Sequence, residues 1–221
     1  MNSIHQPLHQ LTANVSPYVR DMLVENRERA HSHVMSAFQR AISDESPRSE
    51  LGILWYLDPA AALLTVRSRV PTLRSSLLGD VRSVCDVSAP SVGSEVQVRL
   101  FCNIQKTPSP HVPPELHRAV KAQTGKAYRS RLVIVPDAER ADWAVRRLQR
   151  AGLVADPAAV TVGRISSARL GRRGQSIPAA ELTARATVHD SALLTEAIGN
   201  GVGKGKNYGL GLLRLDSVEL H

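Results

Sequence analysis

The chain has 221 residues, 43% of them hydrophobic and 22% charged, proportions that fit a globular protein and exclude a disordered tail, a collagen-like chain or a coiled-coil rod. No apolar run reaches the roughly 18 residues that a membrane span needs, and two cysteines, Cys85 and Cys102, cannot build a disulfide framework or a tetrahedral thiolate site. Lysine and arginine number 28 against 20 acidic residues, a net charge of +8, which favours a polyanionic partner through counterion release.

Residues 8–15 alternate loosely and read as a strand. A helix follows, with Asn26 as its N-cap and Ala30, Val34, Phe38 and Ala41 at helical spacing. Pro47 stops any continuation. Residues 50–57 form an apolar strand, Asp58-Pro59 a turn, and residues 62–69 the strand that pairs next. A short helix or irregular turn fits around Leu73–Leu78, and residues 94–103 are the clearest strand, with Val96, Val98 and Leu100 on one face. That βαββαβ order is the ferredoxin-like unit, assigned to residues 1–106. Pro108, Pro110, Pro113 and Pro114 make 107–130 a linker, and its end is basic.

From 131 to 221 the order of elements restarts. Residues 131–136 read as a strand, and Asp137 opens a helix whose apolar face is Ala138, Ala141, Val145 and Leu148, with Gly152 just beyond its end. Residues 158–170 and 180–190 are two strands around a basic glycine turn. Asp190 caps a helix carrying Leu193, Leu194, Ala197 and Ile198, and residues 208–218 close as a strand. The expected fold class is α+β, two tandem ferredoxin-like (RRM-like) βαββαβ domains.

Three constellations can carry chemistry. Gly199, Gly201, Gly203 and Gly205 precede Lys206, and Gly209 and Gly211 follow it. Such a run either lets backbone N–H groups approach a phosphate or simply turns the chain between a helix and a strand. It fits neither the Walker A register nor the dinucleotide fingerprint. His31 lies in the second turn of the first helix, one step from Val34 and Met35, and is either a proton-transfer group or a histidine at the core boundary. His33 points well away from it, and no pattern of metal ligands is present. Arg164, Arg169, Arg172 and Arg173 mark a basic hairpin that either tracks phosphates or is solvated. Aromatics are only 4%, too few to stack splayed bases along a strand, so a nucleic acid would be held by backbone and shape. The first fifteen residues lack a basic start followed by an apolar stretch, so a cytoplasmic protein without a signal peptide is expected.

These features together resemble a family. Gly201, Gly203, Lys206, Gly209, Gly211, Leu212 and Leu213 meet every position of the C-terminal signature of the CasE family, the CRISPR repeat-processing endoribonucleases of type I-E systems. The segment 31–38 is similar to the family's first-helix motif, which begins with a catalytic histidine. Residues 99–106 and 125–131 resemble two further family segments. The chain departs from the family pattern at Glu28, where some members carry tyrosine, at Ile104 in place of a proline, and at Ser32 and His33. The resemblance implies metal-independent and cofactor-free cleavage of precursor CRISPR RNA at the base of the repeat stem-loop. It assigns catalysis to His31 and Lys206. RNA binding falls to Arg27, Lys106, Lys126, Arg129, Arg131, Arg164, Arg169, Arg172, Arg173, Gly201, Gly203, Lys204 and Gly205. It implies a place in the Cascade complex beside the subunit that forms the crRNA backbone, with target DNA touched only indirectly and no membrane partner. Two alternatives stand beside it: a catalytically silent subunit that binds the crRNA hairpin, and a phosphate-ligand enzyme built on the glycine loop.

Overall fold

The computed structural model describes residues 7–38, 51–72, 74–107, 114–125, 132–170 and 175–217. The first unit is an antiparallel sheet of β1 (Leu8–Asn14), β2 (Leu54–Asp58), β3 (Leu63–Ser68) and β4 (Asp80–Val87), in the order β2-β3-β1-β4. Two helices, α1 (Pro17–Glu25) and α2 (Arg27–Ser36), lie between β1 and β2 in sequence. The alternation of the strands sends Leu11, Ala13, Trp55, Leu57, Leu64 and Val66 into a core shared with Leu23, Ala30, Val34 and Phe38. A 3-10 turn, Ser75–Leu77, stands where a second helix would be.

The second unit repeats this permutation with different lengths. It contains β5 (Glu95–Asn103), β6 (Gln105–Lys106), α3 (Pro114–Thr124), β7 (Val133–Ile134), α4 (Arg140–Gln149), β8 (Leu153–Val154), β9 (Val160–Val162), β10 (Ser166–Leu170), β11 (Gln175–Val188), α5 (Ser191–Asn200) and β12 (Leu213–Ser217). Its main sheet runs β10-β11-β5-β12, while β8 and β9 add to β11. The fold is therefore α+β with two ferredoxin-like units in tandem. Asn26 and Asp190 cap α2 and α5 as expected: the Asn26 side chain accepts from the amides of Glu28 and Arg29, and Asp190 from those of Ala192 and Leu193.

Several expected elements shift. The strand at 94–103 does not close the first sheet. As β5 it pairs with β11 and β12, and the fourth strand of the first sheet is β4. Residues 80–86 of β4 are exposed on both faces, so the strand carries no alternation to read. The proline-rich stretch is not simply a linker, because it contains α3 and is straddled by the β6–β7 pair. The strand expected at 131–136 reduces to β7, outside the main sheet. In α4 the buried face is Trp143, Ala144 and Leu148, whereas Ala138 is exposed. Leu193 of α5 is 41% exposed rather than buried. Helix α1 starts at a standard helix-start pair, with Ser16 as its cap and Pro17 at its first position.

The two sheets meet across their more polar faces. Arg67 of β3, 3% exposed, donates Nη1 to the carbonyls of Leu213 (2.9 Å) and Ile198 (3.3 Å) in the second unit, and Nη2 to Gln10 Oε1 (2.7 Å) in the first. Tyr56 meets Phe101 edge-on at 6.2 Å, and the Arg214 guanidinium lies 3.6 Å above the Tyr56 ring while pairing with Glu181.

Candidate functional site

The site grows from α2. Asn26 fixes its first turn, and Arg27, Ala30 and Val34 form its buried stripe. His31 falls at the edge of that stripe and is half-buried, while Glu28 and Arg29 are exposed. α2 packs beside both β10 and the 3-10 turn Lys206–Tyr208. Tertiary folding thus brings together the two segments that the sequence marked separately, the histidine helix and the glycine loop.

The glycine loop is held firmly by packing. Trp55 of β2 donates its indole N–H to the Asn207 carbonyl at 3.2 Å. Gly209, at φ +74, lies so close that an added Cβ would stand 2.6 Å from the Trp55 ring. Across the loop, Val202 N–H donates to Gly211 O, and Gly211 N–H to Phe101 O, both at 2.8 Å. Lys206 is therefore presented, half-buried, by a turn anchored to strands of both sheets. The glycines serve close packing as well as any ligand, a role the sequence did not distinguish.

The remaining candidates separate by environment. Arg164 and Arg169 are exposed, Arg164 before β10 and Arg169 within it, and Lys204 is exposed on the loop. Gly201, Gly203 and Gly205 all sit in the loop at positive φ. Arg27 is 8% exposed, with its guanidinium 5.6 Å from the Trp55 ring centroid and 6.0 Å from that of Phe101. Burial lowers its pKa from the ordinary arginine value, partly offset by Tyr56. Its charge is thus committed to packing, apart from the exposed cations. Lys106 is half-buried in β6 and paired with Glu139. Lys126, Arg129, Arg131, Arg172 and Arg173 lie outside the described residues. Burial also lowers the pKa of His33, whose Nε2 is buried without a hydrogen-bond partner among the described residues.

Other cations that the structure places near these elements carried no local signal. Arg67 and Arg214 join the sheets, and Arg147 lies in the last turn of α4, where a cation also complements the helix dipole. Among the described residues, no group of three or more His, Cys, Asp and Glu side chains could hold a metal ion. No helix among them is long and apolar enough to cross a membrane.

Two ferredoxin-like units, with α2 packed against a lysine-bearing glycine turn, define an α+β protein of tandem design. The model of the CRISPR associated protein family matches residues 8–216, and the chain belongs to that family. Its fold is that of the CRISPR endoribonuclease Cse3 bound to a 19-nucleotide RNA, with TM-score 0.73, 22% identity, and coverage of 95% of this chain and 98% of that one. It is likewise similar to Cas6e from Escherichia coli K-12, with TM-score 0.63 and 17% identity over 96% of this chain and 100% of that one. A chain of a CRISPR RNA-guided surveillance complex shares the fold at TM-score 0.56 and 17% identity, again over 96% and 100% of the two chains. A comparison with proteins of curated function returned no match.

Proposed function

We propose that this chain is an endoribonuclease that cuts precursor CRISPR RNA at the base of the repeat stem-loop and stays on the hairpin as a cytoplasmic Cascade subunit. The observation that carries this reading is the packing of α2, with His31, against the turn that bears Lys206. The solved proteins of this fold named as CRISPR endoribonucleases, one of them bound to RNA, and a fold-sharing chain within a surveillance complex support it.

RNA carries its own nucleophile. The 2′-hydroxyl of the upstream nucleotide loses its proton and forms a bond to the adjacent phosphorus. The bond from phosphorus to the 5′-oxygen breaks, and that oxygen takes up a proton. The products are a 2′,3′-cyclic phosphate and a 5′-hydroxyl. The protein supplies proton transfer, alignment and charge neutralisation. His31 moves a proton as base or acid, Lys206 offsets charge on the phosphate, and no metal enters the step. Arg164 and Arg169 grip the stem by its backbone, because A-form RNA is read mostly by shape.

The test is a labelled repeat hairpin incubated in EDTA with wild-type protein and with His31→Ala. Wild type should release cyclic-phosphate and 5′-hydroxyl ends, and the variant should cut ~100- to 10,000-fold more slowly while still binding. Undiminished cutting by the variant removes His31 from catalysis. Binding without cutting by wild type would instead make the chain a silent hairpin-binding subunit.

A further inference from the structure

A cleft of about 570 Å³ opens beside the glycine loop, with Gly52 and Leu54 of the first unit at one edge. Its walls come from the last turn and cap of α4 (Arg147, Arg150), from α5 (Leu193, Glu196), and from the loop that ends in Lys206. We propose that this cleft binds the phosphate of an unpaired nucleotide adjoining the RNA hairpin, with Arg147 and Arg150 as its anion-binding pair. This extends the reading above and rests on it.

Arg147 carries the argument. Its guanidinium lies over the Trp143 ring, 4.3 Å from the centroid. Its Nη1 is buried with no hydrogen-bond partner among the described residues. The same nitrogen presses on Gly203, where any Cβ would collide with it. A buried, unsatisfied donor on a cation is costly, and burial accordingly lowers the Arg147 pKa. Arginines at a helix end often serve the C-terminal carbonyls, but that account leaves Nη1 unexplained, because it donates to none. Gly203 has no side chain to lock the guanidinium in place, so a small turn of the Arg147 side chain out of its packed position lets a phosphate oxygen in the cleft satisfy it.

The rest of the lining agrees. Three cations, Arg147, Arg150 and Lys206, face one carboxylate, Glu196. Leu193, 41% exposed, offers an apolar wall to a ribose or base. The volume falls within the ~300–1,000 Å³ of small-ligand sites, which suits one nucleotide rather than a duplex. Lys206 also belongs to the turn that packs against α2, the helix of His31, so the cleft adjoins the segments assigned to cutting.

The experiment compares two uncleavable RNAs, each with a 2′-deoxy sugar at the cut position: the hairpin with unpaired flanks, and the same hairpin trimmed to its stem-loop. Binding is measured by fluorescence anisotropy across a salt series for wild type, Arg147→Gln and Arg150→Gln. Each variant should bind the flanked RNA about tenfold more weakly. Each should also lower its salt slope by about 0.7, the value for one single-strand phosphate contact. Affinity for the trimmed hairpin should not change. Arg150 is exposed at the helix end, so Arg150→Gln decides the matter if Arg147→Gln does not fold. Equal weakening of both RNAs, or of neither, overturns the proposal. So does tight binding of AMP or inorganic phosphate that Arg150→Gln abolishes while the flanks make no difference, which would assign the cleft to a free nucleotide. A wild-type protein that ignores even the trimmed hairpin overturns the functional reading itself and this inference with it.

Discussion

Gly209 ties the chemistry of the loop to the core of the first unit. It sits at φ +74, and an added Cβ would lie 2.6, 2.7 and 2.9 Å from three atoms of the Trp55 ring. Gly93 is the natural control, at φ +86 with nothing within 4 Å of the added atom. Gly93→Ala should lose only the backbone strain, about 1–2 kcal/mol. Gly209→Ala should lose about 2–4 kcal/mol, because the ring or the turn must also move. Urea unfolding of the two variants measures the difference. The Gly209 variant should also cut RNA more slowly than it loses affinity, since the displaced turn carries Lys206. Comparable losses for the two variants would mean that Trp55 yields easily and that the ring does not position the turn.

Among the elements, those whose signals are local were legible, and those defined by tertiary partners were not. The caps at Asn26 and Asp190 and the alternation of β5 lie in a few adjacent residues, and each element formed where its signal stood. Which sheet β5 joins is not a local property, and β4, exposed over 80–86, has no apolar period to betray it. The site divides the same way. His31 and the glycine loop announced themselves by motif, whereas the burial of Arg27 under Trp55 and Phe101 and the bridging role of Arg67 depend on residues remote in sequence. Arg67 is the clearest case. Burial brings its pKa down to about 10, still charged at neutral pH, and carbonyls of α5 and β12 together with Gln10 receive its donors. Arg67→Ala should orphan those acceptors and open a cavity, costing about 2–4 kcal/mol. Because the guanidinium joins the two units, the loss should appear as a split of one unfolding transition into two. A single transition with an unchanged midpoint would show that Tyr56, Phe101 and Arg214 hold the units together without it.

The net charge of +8 attracts any polyanion, so its arrangement decides whether binding is local or diffuse. Arg164, Arg169, Lys204 and Lys206 lie on β10, its approach and the glycine loop, and of these β10 and the turn at Lys206 both pack against α2. Arg82, by contrast, is exposed on β4 at the edge of the first sheet. If those four cations each neutralise one phosphate of a hairpin stem, the logarithm of the binding constant should fall against the logarithm of salt with a slope of about −4. Replacing Arg164 and Arg169 together by glutamine should reduce that slope by about 2, whereas Arg82→Gln should leave it unchanged. Anisotropy titrations from low to moderate salt with the trimmed hairpin give both numbers. Equal effects of Arg82→Gln and Arg169→Gln on the slope would mean that the overall field of the protein, rather than a cationic track around α2, holds the RNA. In that case β10 would lose its assigned role on the stem, while the packing of α2 against the Lys206 turn would stand.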